Sequence, residues 1–285
     1  MFYLIQLLNG VQYGLLLFLL ASGLTLIFGI MGVINLAHGT FYMVGAYLAY
    51  WLVRITGSFW LAIPFGAAVA LIIGIVLEIT LFSRLYKRDH LYQVLLTFGL
   101  ILVFEELRSI LFGDDVHGVA IPALLDYSIR LTDTLSYPAY RLFITAVCLL
   151  IAGAIYLIIH KTRLGMMIRA GSNNREMAAS LGVNIPLLFA LVFGFGVALA
   201  ALAGIIAAPV SSVFPGMGNQ ILIICFVVVV IGGIGSINGA VIASLAIGLT
   251  DTLGKIFAPE LSGMAVYLLM AIILLWRPQG LANRL

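Results

Sequence analysis

The chain has 285 residues, 64% hydrophobic and 9% charged, with a mean hydropathy of +1.21 and a formal net charge of +3 at pH 7. Soluble domains carry roughly 25% charged residues, and no soluble core hides this much apolar surface, so lipid is the solvent for most of the chain. The small net charge points to no nucleic-acid partner, and the two cysteines, Cys148 and Cys225, lie alone in apolar runs as small core hydrophobes.

The first apolar run, from Phe2 to about Ile34, lacks a basic leader and is far longer than a signal-peptide core, so a retained first span is expected. Apolar segments run at about 3–30, 37–53, 59–82, 91–112, 138–159, 186–208, 220–234, 238–257 and 262–276. The second, seventh and last fall short of the roughly 20 residues a spanning helix needs. The expected fold is therefore all-α: one polytopic membrane domain over 1–285, with about 8–10 spanning or half-spanning helices.

Charge orients these segments. Arg84, Lys87 and Arg88 form one basic stretch, Lys161, Arg163, Arg169 and Arg175 a second, and Arg277 and Arg284 a third. The positive-inside rule places all three in the cytoplasm. The segment 113–137 holds Asp114, Asp115, Asp126 and Asp133 against Arg130 alone, and reads as the largest external loop. Small residues recur at Gly10/Gly14, Gly66/Ala70/Gly74 and Gly235/Gly239, a spacing that lets helices approach closely in lipid.

Two apolar stretches are interrupted. The first reads Gly32-Val-Ile-Asn35-Leu-Ala-His38-Gly39-Thr40 and the second Gly235-Ser236-Ile-Asn238-Gly239. Glycine and asparagine form turns, so each could be a turn at a membrane surface. Irregular backbone at membrane depth also survives where it lines a cavity, and paired interruptions in two halves of a membrane protein mark translocation sites. No phosphate loop is present: Gly248 to Lys255 has one residue too many between its glycines and lacks the following Ser or Thr. No catalytic triad or carboxylate pair stands out either.

The cytoplasmic stretch 161–185 reads "KTRLGMMIRAGSNNREMAASLGVNI". Asn173 is expected to cap a short helix, with Glu176 three residues on reaching back and Gly182 ending it. Such an amphipathic helix can dock in a partner's groove, or a basic loop of this kind can simply rest on anionic headgroups. Glu78, Glu105, Glu106, Arg108 and Asp251 are the ionisable residues inside apolar runs. Glu105 and Arg108 are spaced to pair on one helix face.

The stretch "LTLIFGIMGVINLAHGTFYMVGAY" closely resembles the N-terminal signature of permease subunits of branched-chain amino acid ABC importers, and is more similar to the shorter of their two permease types. "LLTFGLILVFEELRSILFG", "VVVVIGGIGSINGAVIAS" and "RPQGL" resemble later segments of the same family. The resemblance implies a multi-pass subunit of the bacterial cytoplasmic (inner) membrane, not itself an enzyme. Its implied partners are a second, homologous permease, two ATP-binding cassette ATPases, an external solute-binding protein and membrane lipid. It implies no cofactor on this chain, with ATP and Mg bound by the ATPases.

It further implies that Gly165, Arg169, Ala170, Glu176, Ala178, Ala179 and Gly182 contact the ATPase, with Met166 standing where relatives often carry a basic residue. Asn35, His38, Gly39, Thr40, Ser236 and Asn238 are expected on a largely uncharged translocation pathway, with Asn35 and His38 near the axis between the two permeases and Ser236 and Asn238 lining a related region. Importers of urea, amides or aromatic acids share these motifs, so the solute is open at this stage. A self-sufficient secondary transporter would need a cation site in the spans, against which the sparse buried acids argue.

Overall fold

The computed structural model describes residues 2–86, 88–132, 135–257 and 259–282. Lys87, Asp133 and Arg284, which contribute to the charge pattern above, lie outside the described residues. Each of the nine apolar runs is a helix. The first five are α1 (Phe2–Met31), α2 (His38–Thr56), α3 (Phe59–Thr80), α4 (His90–Phe112) and α5 (Ala139–Lys161). Two short helices, α6 (Arg163–Asn173) and α7 (Arg175–Ser180), fill the second basic stretch. Then come α8 (Ile185–Ser211), α9 (Met217–Gly232), α10 (Ile237–Phe257) and α11 (Ser262–Trp276).

Among the described residues, six helical segments are long and apolar enough to cross a membrane, and α9 is a shorter apolar helix. The long ones carry α1, α3, α5, α8, α10 and α11. Neither α2 nor α4 is among them, and α4 carries Glu105, Glu106 and Arg108.

The centre of the bundle is α1 and α8. Most of α1 beyond its first turns and most of α8 are buried, whereas α3, α5 and α11 turn most of their surface outward. Packing α1 against α10, and α8 against α2 and α3, makes the main contacts. Lipid tails are as apolar as leucine, so close backbone approach rather than water exclusion holds such helices together. The spaced small residues provide it. A Cβ at Gly14 would lie 2.8 Å from the Ser244 carbonyl oxygen of α10, and one at Gly74 would lie 2.8 Å from the Gly194 Cα of α8. Helix α2 crosses α8 just as closely: a Cβ at Gly204 would overlap the Tyr42 carbonyl and one at Gly45 the Ala201 carbonyl.

The acidic loop adds a feature that the all-α expectation leaves out. Residues Ser128–Thr132 (β1) and Leu135–Pro138 (β2) pair antiparallel, with Ile129 opposite Tyr137 and Arg130 opposite Ser136. The alternation Ser-Ile-Arg-Leu-Thr is the period-two pattern of a strand, short enough to be overlooked beside long helices. His117 bridges to Val213 through two 2.8 Å backbone bonds, which ties this loop to the end of α8.

These contacts fix the run of α1. Near its start, Asn9 meets Tyr137 of the acidic loop (3.0 Å); near its end, the Ile30 carbonyl meets Arg175 of the basic loop (3.2 Å). Helix α1 therefore runs from the acidic loop to the basic loop.

The crossing of α2 and α8 yields a paired test. Gly204→Val is expected to destabilise the purified chain by about 1–3 kcal/mol or more through overpacking. Gly99→Val, at a position with open space around it, is expected to change little. Thermal unfolding of both variants in detergent checks this, and equal melting would contradict the packing.

Candidate functional site

The first interruption is a return loop. Helix α1 stops at Gly32, whose φ of +64° suits glycine and few other residues. Its N–H still bonds the Phe28 carbonyl (2.9 Å). Six residues later α2 begins at His38, and His38 Nε2 lies 2.9 Å from the carbonyl oxygen of Leu20. Leu20 is about 16 Å back along α1 from Met31 at 1.5 Å per residue. Six extended residues reach about 20 Å. The chain therefore doubles back beside α1, and α2 starts inside the bundle rather than at the edge where α1 ends.

Asparagine shapes that return. The Asn35 Oδ1 accepts the Ala37 N–H (3.1 Å), and the Asn35 carbonyl accepts the His38 N–H (3.3 Å). This local side-chain turn replaces helix bonds where the chain must reverse. A carbonyl oxygen can only accept, so the His38 Nε2 carries the proton and donates it to Leu20. The ring occupies a notch at Gly23, where a Cβ would lie 3.1 Å from its Cε1. Its Nδ1 and the Asn35 Nδ2 have no hydrogen-bond partner among the described residues.

This placement differs from the one expected from the sequence. Asn35, His38 and Thr40 are buried among the chain's own helices, with Asn35 and His38 fully inaccessible. They face neither an outward surface nor the cavities described below. Gly39 does not loosen the helix: a side chain there would run into the Gly218 carbonyl of α9. The second interruption is a turn at the end of the bundle that carries the basic loop. Gly233 and Gly235 have φ of +94° and +83°, and Ser236 caps α10 by accepting the Gly239 N–H (3.1 Å). Gly235 packs on Gly29 of α1, and Leu281 near the C-terminus bonds the Ile231 carbonyl (2.8 Å). Asn238 is exposed.

The basic loop is built as two capped helices. Thr162 Oγ1 accepts the Gly165 N–H (3.2 Å) to start α6. The cap of α7 is Asn174, whose Oδ1 accepts the Met177 N–H (2.9 Å), and not Asn173, the last residue of α6. The shift by one residue removes Glu176 from the position that reaches back to a cap. Gly182 ends α7 as expected: its φ is +90°, its N–H bonds Ala179 O (3.0 Å), and the Val183 N–H bonds Ala178 O (3.1 Å).

Of the residues expected to contact an ATPase, Ala170, Glu176, Ala179 and Gly182 are exposed. Gly165 and Ala178 are buried and serve packing; a Cβ at Gly165 would overlap the carbonyls of Ile158 and Ile159. Arg169 is half-buried and donates to the Ile159 carbonyl. Exposed beside these residues are Met166, Met177 and Leu181, the last 77% accessible. Large apolar side chains on a polar loop mark a contact surface.

Sequence reasoning missed the role of Arg175. Its guanidinium donates to Ile30 O at the end of α1 and lies over the Phe189 ring of α8, 5.3 Å from the centroid. It thus joins the exposed loop to the point where α1 turns into the return loop. No spacing rule reveals a contact between residues 145 apart in the chain. A cavity of about 200 Å³ beside it is lined by Thr25 and Gly29 of α1, Arg169 and Asn173 of α6, and Gly235.

The ionisable residues of the spans are mostly paired. Arg108 reaches Glu105 (3.4 Å) and Asp114 (2.8 Å) at the outer end of α4. The Arg108 hydrogen bond, helped by Ser109, holds the Asp114 carboxyl below the usual carboxylate range. Lys255 pairs with Asp251 (2.6 Å), and Tyr86 donates to the buried Glu78. Among the described residues there is no cluster of groups that could hold a metal ion.

A bundle of long apolar helices with a return loop inside it and an exposed amphipathic loop on the basic side has the form of a multi-pass membrane permease. The profile of the family described as "Branched-chain amino acid transport system / permease component" matches residues 6–275, and the chain belongs to that family. It is 30% identical to the high-affinity branched-chain amino acid transport system permease protein BraD of Pseudomonas aeruginosa, over 99% of this chain and 96% of BraD. It is 29% identical to the permease protein LivH of Salmonella typhimurium, over 100% of this chain and 96% of LivH. It is also 27% identical to LivM of the same organism, over 92% of this chain but only 67% of LivM. No solved structure matches the chain significantly.

The His38 geometry makes a direct prediction. His38→Ala is expected to lower the stability of the folded chain by about 1–3 kcal/mol, from the lost bond and the void. Thermal unfolding reads this. Unchanged melting with abolished transport would instead make His38 a pathway residue.

Proposed function

We propose that this chain is the shorter of two homologous permease subunits of an ATP-driven importer in the bacterial cytoplasmic membrane, and that the importer carries branched-chain amino acids. The observation that carries this reading is the full-length likeness to BraD and LivH, together with the weaker, partial likeness to LivM in one organism. Two distinct permeases of related sequence suit a pore formed between them. The chain itself hydrolyses nothing in this scheme. Two ATPase subunits bind ATP and Mg below the membrane, and an external binding protein delivers the solute.

The exposed side of α6 and α7 suits an ATPase groove. Met166, Met177 and Leu181 supply apolar anchors, and the exposed Ala170 and Ala179 permit close approach. Movement of α7 reaches the bundle through Arg175, which holds the Ile30 carbonyl and stacks on Phe189. Closure of the ATPases would thereby shift the end of α1 relative to α8, the two central helices. Such rigid-body rocking of helices around a pathway is how alternating access is commonly achieved.

The test is reconstitution into proteoliposomes. The complete assembly with ATP inside is expected to accumulate leucine, and this chain alone is expected to show neither uptake nor ATPase activity. Substantial flux through the chain by itself would overturn the reading. Within the assembly, Leu181→Glu is expected to weaken ATPase docking, because an added charge at the contact must be desolvated. Arg175→Ala is expected to leave ATP hydrolysis running while uptake falls about tenfold or more. Hydrolysis and uptake falling in proportion would contradict the coupling role of Arg175.

A further inference from the structure

The outer half of the bundle holds a cavity of about 400 Å³ that the sequence gives no hint of. This lies within the roughly 300–1,000 Å³ of small-molecule sites. Helices α1, α2, α5, α8, α9 and α10 all contribute to its wall. Three charged side chains line it: Arg141 from α5, and Asp251 and Lys255 from α10.

Arg141 is the informative one. It is half-buried, and no ion pair includes it among the described residues. Its Nη1 donates to Asn9 Oδ1 (2.6 Å), an uncharged acceptor that also takes the Tyr137 hydroxyl (3.0 Å). The Asn9 amide is oriented by this, since its Nδ2 in turn donates to Gln6 (3.3 Å). A guanidinium has five N–H donors in a planar fork, and a neutral amide uses one of them here. Burying an unneutralised cation in a membrane protein is costly, and such residues mark ligand pathways. The ligand that fits the remaining fork is a carboxylate.

Asp251 supplies the opposite charge in the same cavity. Its side chain is 17% accessible, and its Oδ2 holds the Lys255 ammonium, which is itself 63% accessible. Lys255 also lies over the Tyr13 ring, 5.9 Å from the centroid. Oδ1 carries no hydrogen bond from a described residue. The rest of the wall is mixed: Leu16, Ile144, Val210 and Ile221, from four different helices, give it an apolar part, and Gln6, Gln12, Ser211 and Thr252 a polar one.

We propose that this cavity binds the transported solute as a small aliphatic α-amino acid zwitterion, with its carboxylate on Arg141, its ammonium on Asp251 and its side chain among Leu16, Ile144, Val210 and Ile221. The proposal rests on the importer reading and adds to it a site within the permease. It also departs from an uncharged pathway: a zwitterion has no net charge, yet each end needs a counter-charge once water is stripped from it. Open exchange of partners keeps binding weak enough for release. Asn9 holds Arg141 when the carboxylate is absent, and Lys255 holds Asp251 when the ammonium is absent.

The experiment uses the complete assembly in lipid nanodiscs without its external binding protein. Calorimetric titration is done with L-leucine, with 4-methylpentanoate, which lacks the ammonium, and with isopentylamine, which lacks the carboxylate. Wild-type assembly is expected to bind leucine saturably and isopentylamine at least about tenfold more weakly. Arg141→Gln is expected to weaken leucine and 4-methylpentanoate alike by about tenfold or more, with Arg141→Lys recovering part of the loss. Asp251→Asn is expected to weaken leucine by about fivefold while leaving 4-methylpentanoate unchanged or tighter.

Leucine binding unaltered by Arg141→Gln, or no saturable binding by the wild type, would overturn the proposal. So would an Asp251→Asn variant that loses both ligands equally. If Arg141→Gln fails to assemble, the leucine to 4-methylpentanoate ratio in Asp251→Asn decides. ATP-driven leucine uptake by the wild-type assembly tests the importer reading separately, so that reading can stand while the cavity proposal falls.

Discussion

The bond from His38 to the Leu20 carbonyl sets the geometry of the interior. It requires the chain after Met31 to climb back beside α1 before α2 can start. Two conditions make the climb possible. Gly32 accepts a left-handed backbone that stops α1, and Asn35 supplies a side-chain acceptor where the main chain has lost its helix partners. Hydrogen bonds between helices in a membrane contribute only about 0.6 kcal/mol on average. Position therefore matters more than strength. The ring fits beside Gly23, so displacing it would open α1 from α8, which closes on the same glycine through Gly196.

Helix α1 is consequently tied at three heights. Asn9 joins it to Tyr137 and Arg141 at the outer end, Leu20 to His38 at the middle, and Ile30 to Arg175 at the inner end. Each tie goes to a different part of the chain: the hairpin and α5, the start of α2, and the short helix α7. A displacement entering at Arg175 is carried along a rigid rod whose backbone bonds are satisfied internally. The outer cavity lies at the far end of the same rod. This arrangement gives a physical route from the exposed helices α6 and α7 to the cavity at Arg141, without any wire of coupled side chains between them.

Much of this architecture was legible from composition and spacing. The nine apolar runs became nine helices because length and hydropathy decide spans almost alone in lipid. The small-residue spacings at Gly10/Gly14 and Gly66/Gly74 fell at helix contacts for the reason that they were noticed. Gly182 ended α7 because only a left-handed residue closes that turn, whereas the cap moved from Asn173 to Asn174 because two adjacent asparagines are equally good candidates. The destinations of side chains were not legible. Asn35 and His38 looked like pathway residues because polar groups are expensive in hydrocarbon, and the structure shows them bonded to the chain's own backbone through Asn35 Oδ1 and His38 Nε2. Arg141 drew no notice in the sequence, since an arginine near a helix start is ordinary until the structure shows that no carboxylate among the described residues meets it.

The central claim is that the return loop is locked inside the bundle by the His38 ring. Nitrogen-15 solid-state NMR of the His38 side chain in lipid bilayers measures this directly, with the other three histidines replaced for assignment. The account predicts a single neutral tautomer with the proton on Nε2, hydrogen-bonded and protected from exchange with deuterated water. A proton on Nδ1, or rapid exchange of the ring proton with bulk solvent, would contradict it and would place His38 in open contact with an aqueous path.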